Sequence, residues 1–223
     1  MEFSQVIKSR KSIRGFKLDE VSQEVLSTVL EMARLSPSGI NHQPWEFVIL
    51  TGESLQKAKA LNEEKAKSGA EATPDLPGYQ LTGVYRDRQV ALGKQMFEVM
   101  NISRDDAEKR MDWALKGMRF YDAPAAILLM IDDAILNERS PMALLDMGIV
   151  TQSIALAAVD CGLGTCIQGA TVFYAASLKK LLGIPESKKL AVGIAIGYPD
   201  PDFPGNRIQT ERESLANIAI WKD

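Results

Sequence analysis

The seven residues Ala125-Ala-Ile-Leu-Leu-Met-Ile131 form an unbroken apolar run. A strand with one face in water alternates apolar and polar side chains, whereas a strand that is covered on both faces does not alternate. The run therefore predicts a strand in the middle of a sheet, with protein on either side. Two further strands are predicted at residues 45–50 (WEFVIL) and 190–196 (LAVGIAI).

Segments with helical periodicity lie on both sides of these strands. The first repeats apolar residues every three to four positions, with Ser22 as a suitable N-cap and an expected end at Ser36-Pro37. The others are predicted at residues 53–67, 84–100, 103–118 and 174–182. Because helices interleave with about four or five strands without a regular strand-helix repeat, we predict an α+β fold.

One helix is apolar on almost every side. It is predicted to begin at Ser140-Pro141, an N-cap followed by proline, and to stop at Gly162. Such a helix needs neighbours all round, and in a chain of this size a second subunit is an obvious one. Asp146 and Asp160 leave thirteen uncharged residues between them, fewer than the ~20 needed to cross a bilayer, so we expect no membrane span.

Composition narrows the class of protein. The chain has 223 residues, 46% of them hydrophobic and 25% charged, which suits one globular domain over residues 1–223. A net charge of −3 argues against a nucleic-acid partner. Two cysteines and a single histidine cannot form a zinc site of the usual kind. Reduced thiols and the absence of an apolar leader in MEFSQVIKSRKS predict a cytoplasmic protein.

The segment from about residue 68 to 120 differs from the rest. It opens with SGAEATPDLPGYQLTG, in which two prolines and three glycines break any periodicity. Two helices rich in Met, Tyr, Phe and Trp follow. We interpret the segment as an insertion or lid that lines a pocket for a flat substrate, although ordinary helix packing explains the same composition.

Familiar catalytic and nucleotide motifs do not occur in the sequence. His42 is the only histidine, so a Ser-His-Asp or Cys-His arrangement would have to use it. Neither GxGxxG after a strand nor GxxxxGK[ST] is present. If the protein is an enzyme, its reactivity is therefore expected to reside in a cofactor.

The pentad Arg10-Lys11-Ser12-Ile13-Arg14 places three cations and a hydroxyl together. Guanidinium groups match the oxygens of a phosphate ester, and Arg10 and Arg14, four apart, would share a face of a helical turn. A solvated cationic helix end is the alternative. The stretch PSGINHQPW, residues 37–45, then offers an irregular backbone with mixed donors and acceptors, which suits a ring with carbonyls and ring nitrogens.

Four segments in this order resemble the FMN-dependent nitroreductase superfamily. They are the RKSIR pentad, PSG with Asn41, Gln43, Pro44 and Trp45, GLGTCIQG at residues 162–169, and GYP at residues 197–199 with a late arginine. The resemblance runs over nearly the whole chain. It implies a central, mostly antiparallel sheet flanked by helices, and a domain-exchanged homodimer with FMN at the subunit interface.

The resemblance also assigns cofactor-binding residues. The FMN phosphate would be held by Arg10, Lys11, Ser12 and Arg14 with a C-terminal arginine, Arg212 or, as the alternative, Arg207. The loop Pro37, Ser38, Gly39, Asn41 and Gln43 would reach the FMN of the other subunit. Backbone groups of Ile167, Gln168 and Gly169 would lie along the flavin. Because some relatives have Glu in place of Gln168, the role of its side chain stays open.

The implied activity is a ping-pong reduction in which NADH or NADPH reduces FMN and an oxidised substrate, a nitroaromatic, is then reduced. No side chain is expected to act as a catalytic acid or base, because flavin N5 carries the chemistry. Tyr85, Arg86 and Phe120 are the candidate substrate contacts. The alternatives are a reductive dehalogenase, another flavin reductase or a flavin-fragmenting enzyme of the same superfamily, and a flavin-binding protein without catalysis.

Overall fold

A computed structural model describes residues 1–78, 80–136 and 142–222. The helices, α1 to α8 in chain order, are Phe3–Ser9, Gln23–Ala33, Gly52–Lys67, Gly83–Val99, Ala107–Met118, Met142–Asp160, Ala175–Leu182 and Leu215–Ile218. The strands, β1 to β4, are Trp45–Leu50, Ala125–Asp132, Gly164–Gln168 and Lys188–Gly197. The three predicted strands are confirmed, and β3 is a fourth that begins two residues after the glycine helix stop.

The four strands form one antiparallel sheet in the order β1-β2-β4-β3. The AAILLMI run is β2, an inner strand, and its side chains alternate between two cores. Ile127, Leu129 and Ile131 enter one core, which contains α2 and α6 residues. Ala126, Leu128 and Met130 enter the other, against α3 and α7. The prediction of a strand covered on both faces, and of an α+β fold, is confirmed.

Helix ends follow the predicted capping in two places and depart from it in two. Ser22 caps α2, its Oγ accepting from Val25 N–H at 3.3 Å, and Gly162 ends the turn after α6 with φ of +76°. However, α2 ends at Ala33 rather than at residue 36. Helix α5 begins after Asp106, whose carboxylate accepts from Lys109 N–H, and not at residue 103. The predicted start of α6 at residues 140–141 lies outside the described residues.

Helix α6 is apolar and long enough to cross a membrane by length and composition alone, and half of that stretch is buried inside the chain. Its inner face packs on α2, β1 and β3. Core helices of soluble proteins have the same composition, so this helix is explained by its place in the core. Its outer side chains include Met142 and Leu145, both more than half exposed.

Candidate functional site

The segment Arg10–Arg14 is extended, so the prediction that it forms a helical turn was wrong. Helix α1 ends at Ser9. Ser12 then pairs in parallel with Thr165 of β3, and Ile13 N–H donates to Thr165 O at 2.9 Å. Side chains alternate in extended chain, so Arg10, Ser12 and Arg14 fall on one side and Ile13 on the other. Arg10 and Arg14 therefore lie on the same side of the extended segment, as they would on the same face of a helical turn.

Two contacts fix this segment to the sheet. Ile13 is buried against β3 at Gly164, where an added Cβ would lie 2.5 Å from Ile13 Cγ1. From the C-terminal side, buried Asn206 accepts from Arg14 N–H at 2.7 Å and from Gly15 N–H at 3.2 Å, and donates to Gly15 O at 2.7 Å. Asn206 is not predicted from the sequence, because no local pattern marks a residue whose partner lies 192 positions away.

The side chains around Arg14 form a small aromatic cleft of about 210 Å³. Trp113 stacks on Phe203 at 6.4 Å between ring centroids and lies 5.5 Å from Tyr121. Burial raises the pKa of Tyr121, an effect that Arg14 opposes. Burial likewise raises the pKa of Cys166 to about 11, against the influence of Arg14 and Ser12. Both groups are therefore neutral near pH 7, and neither compensates the positive charge of Arg14.

The two late arginines have different surroundings. Arg207 follows Asn206, the residue bonded to the backbone of Arg14, so its backbone lies next to the early cationic segment. Arg212 is exposed and donates to Thr210 O and Oγ1 and to Glu211 O. Glu213 beyond it pairs with Arg88 of α4 at 2.7 Å. In this structure Arg207, rather than Arg212, is adjacent to a residue that forms a hydrogen bond with the Arg10–Arg14 segment.

The loop of residues 37–44 has an unusual backbone. Ile40, Asn41 and Gln43 have φ of +44°, +61° and +45°, a region that residues other than glycine seldom adopt. Ser38 Oγ accepts from Gln43 N–H at 2.9 Å, and Gln43 Nε2 donates to Asn41. Pro37, Gly39, Asn41 and Gln43 are exposed. Within the described ranges no hydrogen bond joins this loop to Arg10–Arg14, so a single chain does not bring these two predicted parts together.

The end of β3 presents backbone to solvent and buries one amide side chain. Ile167 is 41% exposed, and Gly169 is also exposed. Gln168 is buried, and its Nε2 donates to Gly117 O of α5 at 2.9 Å. Its Oε1 is buried with no hydrogen-bond partner among the described residues. The side chain thus connects β3 to the predicted lid and retains one unused acceptor.

The three predicted substrate contacts separate into two groups. Tyr85 and Arg86 are exposed at the start of α4. Arg86 lines a cleft of about 760 Å³ that also includes Gly169, and its guanidinium donates to Gln89. Phe120, by contrast, is fully buried in the core beneath the sheet. Its prediction as a substrate contact was wrong, because a ring that closes the core has no surface to offer a ligand.

The chain belongs to the nitroreductase family, whose family model matches residues 7–198. The matched range includes the Arg10–Arg14 segment, the loop of residues 37–44 and all four strands. It ends before Arg207 and Arg212. The superfamily predicted from the four motifs is therefore confirmed.

Named relatives and solved structures agree with this assignment. The chain is 31% identical over 215 residues to nitroreductase NfnB of Mycolicibacterium smegmatis, covering 95% of this chain and 89% of the relative. It is 29% identical to a 4-nitrobenzoate reductase of Pseudomonas putida, covering 95% and 92%. The structure of the FMN and NADPH-dependent nitroreductase NfnB from sphigopyxis sp. strain HMH superimposes with a TM-score of 0.91 at 29% identity, covering 100% of both chains.

Proposed function

We propose that this protein is an FMN-dependent NAD(P)H oxidoreductase that reduces nitroaromatic compounds by a ping-pong mechanism. The observation that carries the proposal is the cationic segment Arg10–Arg14, fixed to β3 by the Ser12–Thr165 pairing and to the C-terminal part of the chain by Asn206. Proteins of the same family that are similar along nearly the whole chain are described as FMN- and NADPH-dependent nitroreductases. We place the protein in the cytoplasm, where its two free thiols would stay reduced.

The residues present fit FMN. A phosphate ester carries nearly two negative charges, and Arg10 and Arg14 supply cationic donors on the same side of the segment as the Ser12 hydroxyl, while Lys11 would have to reach round from the other side. Arg207, whose neighbour Asn206 bonds to the backbone of Arg14, is the late arginine that this structure favours to join them, and Arg212, the first choice from the sequence, is the alternative. Oε1 of Gln168, buried and without a partner among the described residues, is an acceptor close to the exposed residues Ile167 and Gly169, along which the flavin would lie.

When bound, FMN would supply the redox chemistry, namely two-electron transfer between NADH or NADPH and a nitro group. The chain's own residues then have binding, orienting and shielding tasks. Arg14 fixes one end of the cofactor, and the backbone of residues 167–169 orients the ring. None of these tasks needs a side chain that gains or loses a proton, so we keep the proposal that no side chain acts as a catalytic acid or base.

We further propose that the active form is a domain-exchanged homodimer. Large apolar side chains are exposed on α1, on the segment after α2, at Ile40 of the loop, on α6 and in the C-terminal tail: Phe3, Leu35, Ile40, Met142, Leu145, Leu215, Ile218, Ile220 and Trp221. A set of this size is typical of an interface. A second copy would bury it and would bring the loop of residues 37–44 to the flavin held by its partner.

The predicted lid would define the substrate side. Residues 68–120 comprise the loop after α3, α4 and α5, and the Arg86 cleft between this segment and Gly169 is walled mainly by apolar residues, among them Leu76, Leu81 and Phe173. An aromatic ring suits these walls, and Arg86 and Tyr85 would meet its polar substituents. We therefore keep Tyr85 and Arg86 as substrate-binding residues.

The decisive experiment is the absorption spectrum of the purified protein after incubation with FMN. The proposal expects a yellow dimer that NADPH or NADH bleaches without oxygen and that a nitroaromatic, such as 4-nitrobenzoate, turns yellow again. A protein that remains colourless contradicts cofactor binding. A yellow protein that oxidises NAD(P)H no faster than free FMN contradicts the enzymatic activity and leaves a flavin-binding protein.

A further inference from the structure

The loop of residues 37–44 cannot hold its conformation by local preference. Three of its residues other than glycine have positive φ, and each such residue costs free energy unless surrounding contacts fix it. The hydrogen bonds inside the loop link Ser38 to Gln43 and Gln43 to Asn41. They do not anchor the loop to the body of the protein. The anchor has to come from another element.

That anchor lies on α6. Asp146 is 4% exposed, and both of its carboxylate oxygens lie 3.3 Å from Gly39 N, whose N–H they accept. Its Oδ2 lies 2.6 Å from Nε2 of His42. A carboxylate buried on an apolar helix is costly unless it is paired and hydrogen-bonded, so its presence needs these partners. One side chain thus fixes the loop at two points three residues apart.

A weaker second contact lies on the same side of α6. Ser153 is seven residues, or two helical turns, beyond Asp146. Its Oγ lies 2.7 Å from Oγ of Ser36, just before the loop. Ser153 and Asp146 of one helix therefore hold the segment at Ser36, just before the loop, and at Gly39 and His42 within it. Most of this attachment comes from Asp146, because a charge-assisted bond is stronger than a bond between hydroxyls.

We infer that Asp146 is a positioning residue that, paired with His42, presets the loop of residues 37–44 in the conformation that receives the flavin. The inference rests on the proposed function, because only there does the loop meet a cofactor. It assigns a task to the only histidine in the chain and to a buried aspartate that the cofactor-binding set does not include. Neither side chain would touch the reacting atoms.

The test compares His42→Phe with His42→Gln in the full-length protein reconstituted with FMN. Phenylalanine keeps a ring but cannot donate to Asp146, whereas the glutamine amide can. Asp146→Ala removes the acceptor altogether, and Asp160→Asn is the matched control, an exposed aspartate of the same helix. The measurements are the FMN dissociation constant, the visible circular dichroism of bound flavin, and the melting temperature of the flavin-free protein.

We expect His42→Phe and Asp146→Ala to weaken FMN binding about ten- to hundredfold, the range for loss of one charge-assisted bond, and to change the flavin dichroism. His42→Gln and Asp160→Asn should stay close to the wild type in both. If Asp146→Ala fails to fold, His42→Phe alone tests whether the pair positions the loop. His42 lies on a surface loop, so its substitution should not prevent folding.

Two results would overturn the inference, and they are distinguishable. If the wild type binds FMN and His42→Phe binds it equally well with unchanged dichroism, the pair does not position the loop, even if the melting temperature falls. If the wild type takes up no FMN at all, the proposed function fails and this inference fails with it.

Discussion

Two segments predicted to hold the same cofactor are built in opposite ways. Arg10–Arg14 is extended chain that pairs with β3 through backbone groups, Ser12 with Thr165 and Ile13 N–H with Thr165 O. The loop of residues 37–44 has an irregular backbone fixed by side chains, above all Asp146 and His42. Both were recognised from the sequence as ligand-binding segments, yet only the first is continuous with the sheet.

The difference shows how rigidity can be obtained with and without regular structure. Arg14 lies in a segment held by backbone pairing with Thr165 and by Asn206, which bonds to backbone groups, so a change of the Arg14 side chain itself leaves these contacts in place. The loop depends on a few polar contacts from one helix, so single substitutions there have larger consequences for its shape.

Reversing the charge of Arg14 should abolish flavin retention. Arg14→Glu replaces a donor to the phosphate with a repelling carboxylate, which should weaken FMN binding at least about a hundredfold. Folding should be largely intact, because Asn206 bonds the backbone of Arg14 and not its side chain. Equilibrium dialysis against FMN measures the loss. The matched control is Arg104→Glu on an exposed loop, and equal loss in both variants would contradict a phosphate contact.

Cys166 should report how tightly the extended segment covers β3. Its pKa is raised from 9.0 to about 11, so near pH 8 its thiolate fraction is about a hundredfold below that of an ordinary thiol. In a Cys161→Ser variant, alkylation should be at least that much slower in the native protein than in urea. The rate should rise tenfold per pH unit up to about pH 11.

The same raised pKa predicts a stability change. Because the folded state retains the Cys166 proton more strongly, its contribution to stability is complete below pH 9 and is lost as the pH rises towards 11. Urea titrations at several pH values measure it, with Cys166→Ala as the control. Equal alkylation rates in native and unfolded protein at pH 8 would show that the Arg10–Arg14 segment does not shield Cys166 of β3.

Gly164→Ala should destabilise the protein by about 1–3 kcal/mol, because the new methyl would overlap Ile13 and Pro199, at 2.5 and 2.9 Å. Chemical denaturation measures the change. Combined with Ile13→Ala, which makes room, the loss should be smaller than the sum of the two single losses. The control is Gly93→Ala on α4, where no atom lies within 4 Å of the new Cβ. If the two losses of stability are additive, Ile13 does not pack against Gly164.

Ser153→Ala should have the smallest effect, about 0.5–1.5 kcal/mol, because the single proton of the Ser36 hydroxyl has another acceptor, Ala33 O, at 2.7 Å. Its effect on FMN binding should be well below that of Asp146→Ala. Denaturation and dialysis on both variants give the comparison. If Ser153→Ala weakens FMN binding as much as Asp146→Ala, the attachment of the loop is shared along α6 and is not concentrated at Asp146.

Sequence patterns predicted elements best where one physical cause dominates. The AAILLMI strand and the Gly162 helix stop were correct because burial on two faces and a left-handed φ each impose a recognisable residue choice. The backbone conformation predicted for Arg10–Arg14 was wrong, because two arginines four residues apart are typical of a helix. A short extended segment outside a sheet has no recognisable sequence pattern. Phe120 was assigned to the substrate because an aromatic residue near a lid has the same appearance whether it lines a cleft or closes a core.

The sequence by itself determined the family, the α+β class and the segments that bear the cationic and amide groups, since these follow from local composition and the order of motifs. Only the tertiary structure decided that Asn206 holds Arg14, that Asp146 holds Gly39 and His42, and that Gln168 reaches Gly117. Each of these contacts joins residues at least 51 positions apart. A contact that forms only after the chain has folded leaves no periodicity in the sequence between its ends.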